Sequence, residues 1–194
     1  MNYLAHIYLS GVNRELKFGN FIADSVAGKQ YKNYSETIQK GILLHRAIDD
    51  FTDNHYIFRK HTKLLFKDYR HYSRVIVDLF YDHFLASLWS QYNSQKIEDF
   101  NKDFYDEIEE ELELLRDKMK RAFPYMKSQN WLLQSEKISG LELILEQIEN
   151  RTKFDSNLKK SISNLLENYD VFKNGFVVFF QDLQIFVSSK IESI

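Results

Sequence analysis

A single proline, Pro124, and six glycines are spread through 194 residues, and over most of that length apolar residues recur at intervals of three and four rather than two. A chain with so few helix breakers and that period is restricted to an all-α fold. Ser35 reads as the N-cap of a helix that continues through Ile38, Ile42, His45 and Ile48 and ends near residues 52–54. A second helix is predicted over 57–66, and a third from about Ser73 with Val77, Phe80, Phe84 and Leu88 on one side. The acidic stretch 97–119 reads as one helix that stops before Pro124, because proline disfavours helix in the residue preceding it. Further helices are expected over 138–149 and from 155 to about 188. The segment Phe176-Val-Val-Phe-Phe180 has β propensity taken alone. The spacing Phe172, Phe176, Phe179, Leu183, Phe186 and Val187 nevertheless favours a core-facing helix, with Gly175 as a kink or boundary.

This length suits one domain with a substantial core. The expectation is a single helical domain over 1–194, a helical bundle with its chemistry in 1–90 and a packing helical half in 91–194. Hydrophobic residues make up 44% and charged residues 28%, which excludes a disordered or membrane-embedded class. No cysteine is present, so thiolate sites and disulfides are excluded. The apolar start lacks the pattern of a signal peptide, and a cytoplasmic location without membrane insertion is the expectation. Divided after Ile97, the chain carries 13 basic and 9 acidic residues in the first part and 13 and 19 in the second. That excess is too weak for nucleic-acid binding, and an acidic or phosphorylated partner for the first part is the more modest inference.

All six histidines lie between His6 and His83. His45 and Asp49 are four apart on one predicted helix and share a face. Asp49 and Asp53 repeat that spacing, as do Asp78 and Asp82 on another helix, with His83 adjacent. Two such helices packed together make a nitrogen and oxygen cage suited to Mn²⁺, Mg²⁺ or Fe²⁺, with zinc possible given enough histidines. Burying that many acids without a cation would cost several kcal/mol each. His55, His61 and His71 stand in polar, basic sequence and are expected in solvent. Gly19-Asn-Phe-Ile-Ala-Asp24 reads as a loop entering a short helix that Gly28 ends. Asp24 on it either ligates a metal, positions a water, or pairs with the helix dipole.

Residues 59–74 hold six basic residues and one acid, and Arg59, Lys63, Lys67, Arg70 and Arg74 would form one stripe if a helix ran through them all. Such a stripe is either a solvated face or a docking surface for an acidic protein or phosphate group.

Together, Asn2-Tyr-Leu-Ala-His6, Gly19-Asn-Phe-Ile-Ala-Asp24, Gly41 with His45-Arg-Ala-Ile-Asp49, residues 52–54, and Asp78 with Asp82-His-Phe-Leu85 resemble the acyl carrier protein phosphodiesterases, remote relatives of HD-type metal-dependent phosphohydrolases. The likeness is specific over the first 90 residues and general beyond Trp89. It implies an HD-like all-α fold and a Mn²⁺-dependent enzyme that removes 4′-phosphopantetheine from the serine of holo-acyl carrier protein. By position it implies that Asp24 is closest to the chemistry and that His6, His45, Asp49, Asp82 and His83 are candidate ligands, with Asp78 beside them. Arg46 either clamps the phosphodiester or forms a structural salt bridge. The basic residues at 59–74 acquire the acidic carrier as a natural partner. Without that resemblance, the same residues also suit a hydrolase of another phosphodiester or nucleotide, or a helical carrier-binding protein.

Overall fold

The computed structural model describes residues 3–152 and 156–194, which fold into α-helices and short 3-10 turns with no strand among them. Asn2 of the first motif and residue 155, the expected start of the last helix, lie outside the described residues. The helices are α1 Tyr3–Leu9, α2 Arg14–Ile22, α3 Glu36–Asn54, α4 Tyr56–Tyr69, α5 Ser73–Ser87, α6 Ile97–Glu110, α7 Asp117–Ser128, α8 Ile138–Glu149, α9 Ser161–Glu167 and α10 Tyr169–Ser193. One hydrophobic core runs through them, drawing on both halves of the chain.

Helix α5 is the centre of that core. Ile76, Val77, Phe80, Tyr81, Phe84 and Leu85 are all completely buried, the pattern of a helix covered on every side. Helix α10 covers one side with the expected phenylalanine row: Phe172, Phe176, Phe179, Phe180 and Leu183 are buried. Tyr81 meets Phe176 and Phe179 at ring separations of 5.4 and 4.9 Å. Contacts of this kind contribute about 0.5–1.5 kcal/mol each beyond the area they bury.

Gly175 is not a boundary, since it lies inside α10. A Cβ there would run into the imidazole of His61 and come within 3.0 Å of Ile57. His61 is therefore not in solvent but 2% exposed, its Nδ1 2.9 Å from the Tyr81 hydroxyl. Burial holds its pKa down to about 4, so it accepts that hydrogen bond as the neutral ring. His55 is likewise engaged: its Nδ1 accepts from the Ile57 amide and its Nε2 contacts Asp182 at 3.1 Å. His71 is exposed, as its sequence surroundings suggest.

The acidic stretch is not one helix. Helix α6 ends at Glu110, a 3-10 turn follows, and Leu115 turns inward on extended backbone before α7 begins. Pro124 lies within α7 rather than beyond it. An interior proline costs about 3 kcal/mol, but Met119, Phe123 and Met126 are buried along one face. Lys127 further ties α7 back to α6 through Asp106 and Glu109, at 2.9 and 2.7 Å.

The most extensive helix pairing joins α2 to α3. Gly19 and Gly41 face each other there. A Cβ on Gly41 would collide with the Leu16 carbonyl and lie 2.9 Å from both the Asn20 nitrogen and the Gly19 Cα. Gly19 is thus inside a helix that starts at Arg14, not in the expected loop, and its role is close approach of two backbones. Beyond α2 the chain tightens into a 3-10 turn carrying Asp24 and reverses at Gly28 with φ +52°.

Gly41→Ala should therefore force α2 and α3 apart. Because the obstruction is backbone, the expected loss is at least the about 1–3 kcal/mol usual for overpacking. Thermal unfolding should register it as about 2–4 °C of Tm per kcal/mol.

Candidate active site

The glycine contact brings the start of α3 against α2, and three turns' worth of chemistry follows from it. Asn20 is completely buried directly after Gly19, and its backbone carbonyl lies 2.9 Å from Nδ1 of His45. A carbonyl can only accept, so Nδ1 carries the proton and the Nε2 side of the ring faces the site. The Asn20 side chain is held in turn, donating to the His6 carbonyl at 3.1 Å and to the Ser10 hydroxyl at 2.9 Å. One asparagine thereby fixes the end of α1 and the orientation of His45.

His6 and His45 stack, with ring centroids 3.9 Å apart and planes 16° from parallel. Both present Nε2 to the carboxylate of Asp49, which lies one turn along α3 from His45: His6 at 3.3 Å and His45 at 3.1 Å. His45 Nε2 is also 3.2 Å from Asp24, at the end of α2. Three helices thus contribute to one point. Ligand atoms of His6, His45 and Asp49 all fall within 4.8 Å of one another.

The electrostatics of the group are lopsided. Burial pulls the His45 ring down, but hydrogen bonds to Asp24 and Asp49 overcome it and carry its pKa up to about 9. Burial also lowers His6, here to about 4, with the Asp49 contact opposing and His45 reinforcing the fall. Asp49 is held well below the carboxylate range, since its hydrogen bonds to His45 and His6 outweigh its burial. Asp24 is lowered by its hydrogen bond to His45. The two stacked rings therefore share one positive charge between two carboxylates. A divalent ion can take the place of the His45 proton, since ligating imidazole must be unprotonated. The donors, two imidazoles and one or two carboxylates, suit Mn²⁺, Fe²⁺ or Zn²⁺ better than Ca²⁺. Asn20 supplies the outer hydrogen bond that orients such a ligand.

Beside this group opens a cavity of about 260 Å³ lined by Asp24, Asp49, Thr52, Asp53 and Asp78. Asp78 reaches it from α5, and burial, followed by the charges of Asp49 and Asp53, pushes its carboxyl up. Thr52 and Asp53 complete a wall that the sequence reading did not assign a role, although the four-residue step from Asp49 to Asp53 signalled it.

Three expected members are elsewhere. His83, on α5, donates from Nδ1 to the Ser135 carbonyl at 2.8 Å and meets the Tyr169 hydroxyl at 2.9 Å through Nε2, so both ring nitrogens are committed to core packing. Asp82 is 1% exposed and lines a separate cleft with Trp131 and Leu132. Arg46 is structural: its guanidinium donates to the Val26 carbonyl at 2.9 Å and lies over the Tyr31 ring, anchoring the segment between α2 and α3. The basic residues do not form one stripe. Helix α4 ends at Tyr69, Arg70 takes φ +47°, and Arg74 belongs to α5. Arg59, Lys63, Lys67, Arg70 and Arg74 are all exposed. Two of them brace the cavity wall, Arg59 donating to the Asp53 carbonyl at 3.1 Å and Arg74 pairing with the Asp53 carboxylate at 3.2 Å.

Residues 1–183 match the family model described as acyl carrier protein phosphodiesterase. The chain belongs to that family. Its relatives include acyl carrier protein phosphodiesterases of Yersinia pestis, 27% identical over 93% of this chain and 94% of the relative, and of Photorhabdus laumondii, 27% identical over 93% and 91%. One from Escherichia coli O6:H1 is 26% identical over 93% and 94%. No solved structure gave a significant match. By the name of their family these are phosphoric diester hydrolases, and His6, His45 and Asp49 form the one group of three or more close metal-ligating side chains among the described residues.

Adding Mn²⁺ at about 100 times its Kd should stabilise the protein by about 2.7 kcal/mol, readable as a rise in Tm. Asn20→Ala leaves the main-chain carbonyl in place but removes the side-chain amide, whose Oδ1 lies 3.1 Å from His45 Nδ1 and whose Nδ2 holds α1, and should weaken Mn²⁺ binding by about tenfold. Equal stabilisation of wild type and an Asp49→Asn, His6→Ala double variant would remove the ion from this site.

Proposed function

We propose that this chain is a cytoplasmic, divalent-metal-dependent phosphodiesterase that hydrolyses the phosphodiester between 4′-phosphopantetheine and the serine of holo-acyl carrier protein. The products are apo-carrier and free 4′-phosphopantetheine, with no membrane insertion or nucleic acid involved. The observation that carries this reading is the convergence of His6, His45, Asp49 and Asp24 on one point, in a chain of the acyl carrier protein phosphodiesterase family. Mn²⁺ is the ion we assign, with Mg²⁺ or Fe²⁺ as substitutes. The kinship with HD-type phosphohydrolases belongs to the same proposal.

His6, His45 and Asp49 would hold the ion, with Asp24 at the exposed edge. When bound, it supplies an activated water and offsets charge developing on the phosphoryl oxygens. The chain's own residues have distinct tasks. Asn20 keeps His45 in one tautomer and orientation through the 2.9 Å contact. Asp24, with its side chain 67% exposed, stands where substrate enters and orients or accepts the proton of the attacking water. The water oxygen would bond to phosphorus as the bond from phosphorus to the serine oxygen breaks, and the proton taken from the water by Asp24 would pass to that serine oxygen, which leaves with the carrier.

The basic face favours a macromolecular substrate. Arg59, Lys63 and Lys67 lie on the exposed side of α4, and Arg59 and Arg74 reach Asp53 on the cavity wall. An acidic carrier resting on α4 would therefore deliver its serine at the cavity mouth. Charges of this type steer association more than they deepen affinity.

Incubated with holo-carrier and Mn²⁺, the protein should release apo-carrier, read as the mass lost with the prosthetic group. Asp24→Asn should lower turnover about 10²–10⁴-fold. No conversion by protein with the ion in place would sink the assignment. A double Lys63→Glu, Lys67→Glu variant should raise KM for the carrier by roughly tenfold or more. Its KM should also respond less to salt than that of wild type. An unaltered KM and salt profile would return these lysines to ordinary solvated surface.

A further inference from the structure

A second cleft, of about 190 Å³, lies alongside the acidic cavity and has a different chemistry. Leu4, Trp131, Ile144 and Ile148 form apolar walls, while Asp82, Gln134, Ser135, Gln147 and Arg151 supply polar or charged groups. Two helices connect the openings. On α5, Asp78 lines the acidic cavity and Asp82 the cleft, one turn away, a rise of about 6 Å. On α1, His6 belongs to the His/Asp group and Tyr3, one turn earlier, lines the cleft. The Tyr3 phenol, raised chiefly by burial, also feels the charge of Asp24. The cleft therefore lies about one helical turn from the His/Asp site along both α1 and α5.

Its size restricts the ligand. Pockets for drug-sized ligands run to about 300–1,000 Å³, so this cleft suits a small ligand or one segment of a longer one. Its walls call for a chain with an apolar trunk and hydrogen-bonding groups at intervals. Asp82 can accept from an amide N–H or hydroxyl, and Gln147 can donate to and accept from an amide. The pantetheine arm has that composition: a geminal dimethyl group, a hydroxyl, two amides and a terminal thiol. We propose that this cleft is the subsite for the pantetheine arm, with Asp82 and Gln147 as its polar contacts and Trp131 and Ile144 as its walls. The proposal rests on the phosphodiesterase reading and gives Asp82 a role in substrate recognition. The scissile phosphate lies in the acidic cavity, and the arm runs across Tyr3 into the groove.

The test uses the full-length protein and free pantetheine, which lacks the phosphate and so reports on the cleft without metal or turnover. Isothermal titration should show saturable binding by wild type, weakened roughly tenfold or more by Ile144→Trp, which obstructs the groove. Gln147→Leu, at an exposed position, should weaken binding in the same direction and serves if Ile144→Trp misfolds. In parallel, both variants should raise KM for holo-carrier more than they lower kcat. Absence of saturable pantetheine binding to wild type, or equal binding by wild type and Gln147→Leu, overturns the subsite. If holo-carrier is converted but pantetheine binding fails, the phosphodiesterase stands and the subsite falls. If pantetheine binds the cleft while holo-carrier is never converted, the arm site stands and the assigned reaction falls.

Discussion

The closeness of α2 to α3 is the constraint on which the rest of the molecule depends. With Gly19 against Gly41, the backbones approach more closely than any side chain would permit. That distance is what lets a main-chain carbonyl, the one on Asn20, reach the Nδ1 of His45. A main-chain carbonyl cannot donate and cannot swing away. The tautomer of His45 is therefore built into the packing of two helices rather than left to a mobile partner. Asn20 then passes the constraint to α1 through the His6 carbonyl and Ser10, so the two stacked imidazoles are positioned by a single buried amide.

Around that point the fold divides its labour. Helices α1, α2 and α3 supply the reactive side chains, and α5 carries the aromatic core on one side and acids on the other. Helix α10 closes the core with phenylalanines. His61 and His83, which in sequence look as reactive as His45, are consumed by this packing through Tyr81, Ser135 and Tyr169. Buried neutral imidazole is a suitable core residue when both nitrogens find partners. The difference between a ligand and a core histidine here is only what the ring faces.

That difference explains what was legible in the sequence. Periodicity located α3, α5 and α8, but the single helix expected from 155 to about 188 is divided among the described residues into a 3-10 turn, α9 and α10, with the break at Asn168. The pairing of His45 with Asp49 was legible because four-residue spacing is a property of one helix. Which helix that face meets is decided by tertiary packing, so Asp78 and Asp82, identical in spacing to Asp49 and Asp53, could not be told apart: one opens into the acidic cavity and the other into the apolar cleft. Pro124 misled for a related reason. A local rule about proline was overridden by Met119, Phe123 and Met126, whose burial is not local. Asn20 stood in a recognised motif, but its working atom is a backbone carbonyl, which carries no sequence signature. Arg46 shows the converse, a charged neighbour of a reactive histidine whose task is to hold a loop.

The charge distribution sets the remaining logic. Asp24, Asp49, Asp53 and Asp78 surround one small cavity, and an anionic phosphodiester approaching them meets repulsion from every wall. Two features counter it. The proton that Asp24 and Asp49 hold on His45 lies where a divalent ion would reverse the local sign. Arg59 on α4 and Arg74 on α5, both fastened to Asp53, set positive charge beside the cavity wall. On the proposed reading, an acidic carrier would be drawn by the outer face while its phosphate met a cation held further in. Under the same proposal, the acids that repel an anionic diester would favour it once they held a cation, and a substrate without an acidic body would gain nothing from α4. Discrimination between a carrier protein and a small diester would then arise from helix α4, and the chemistry from α3.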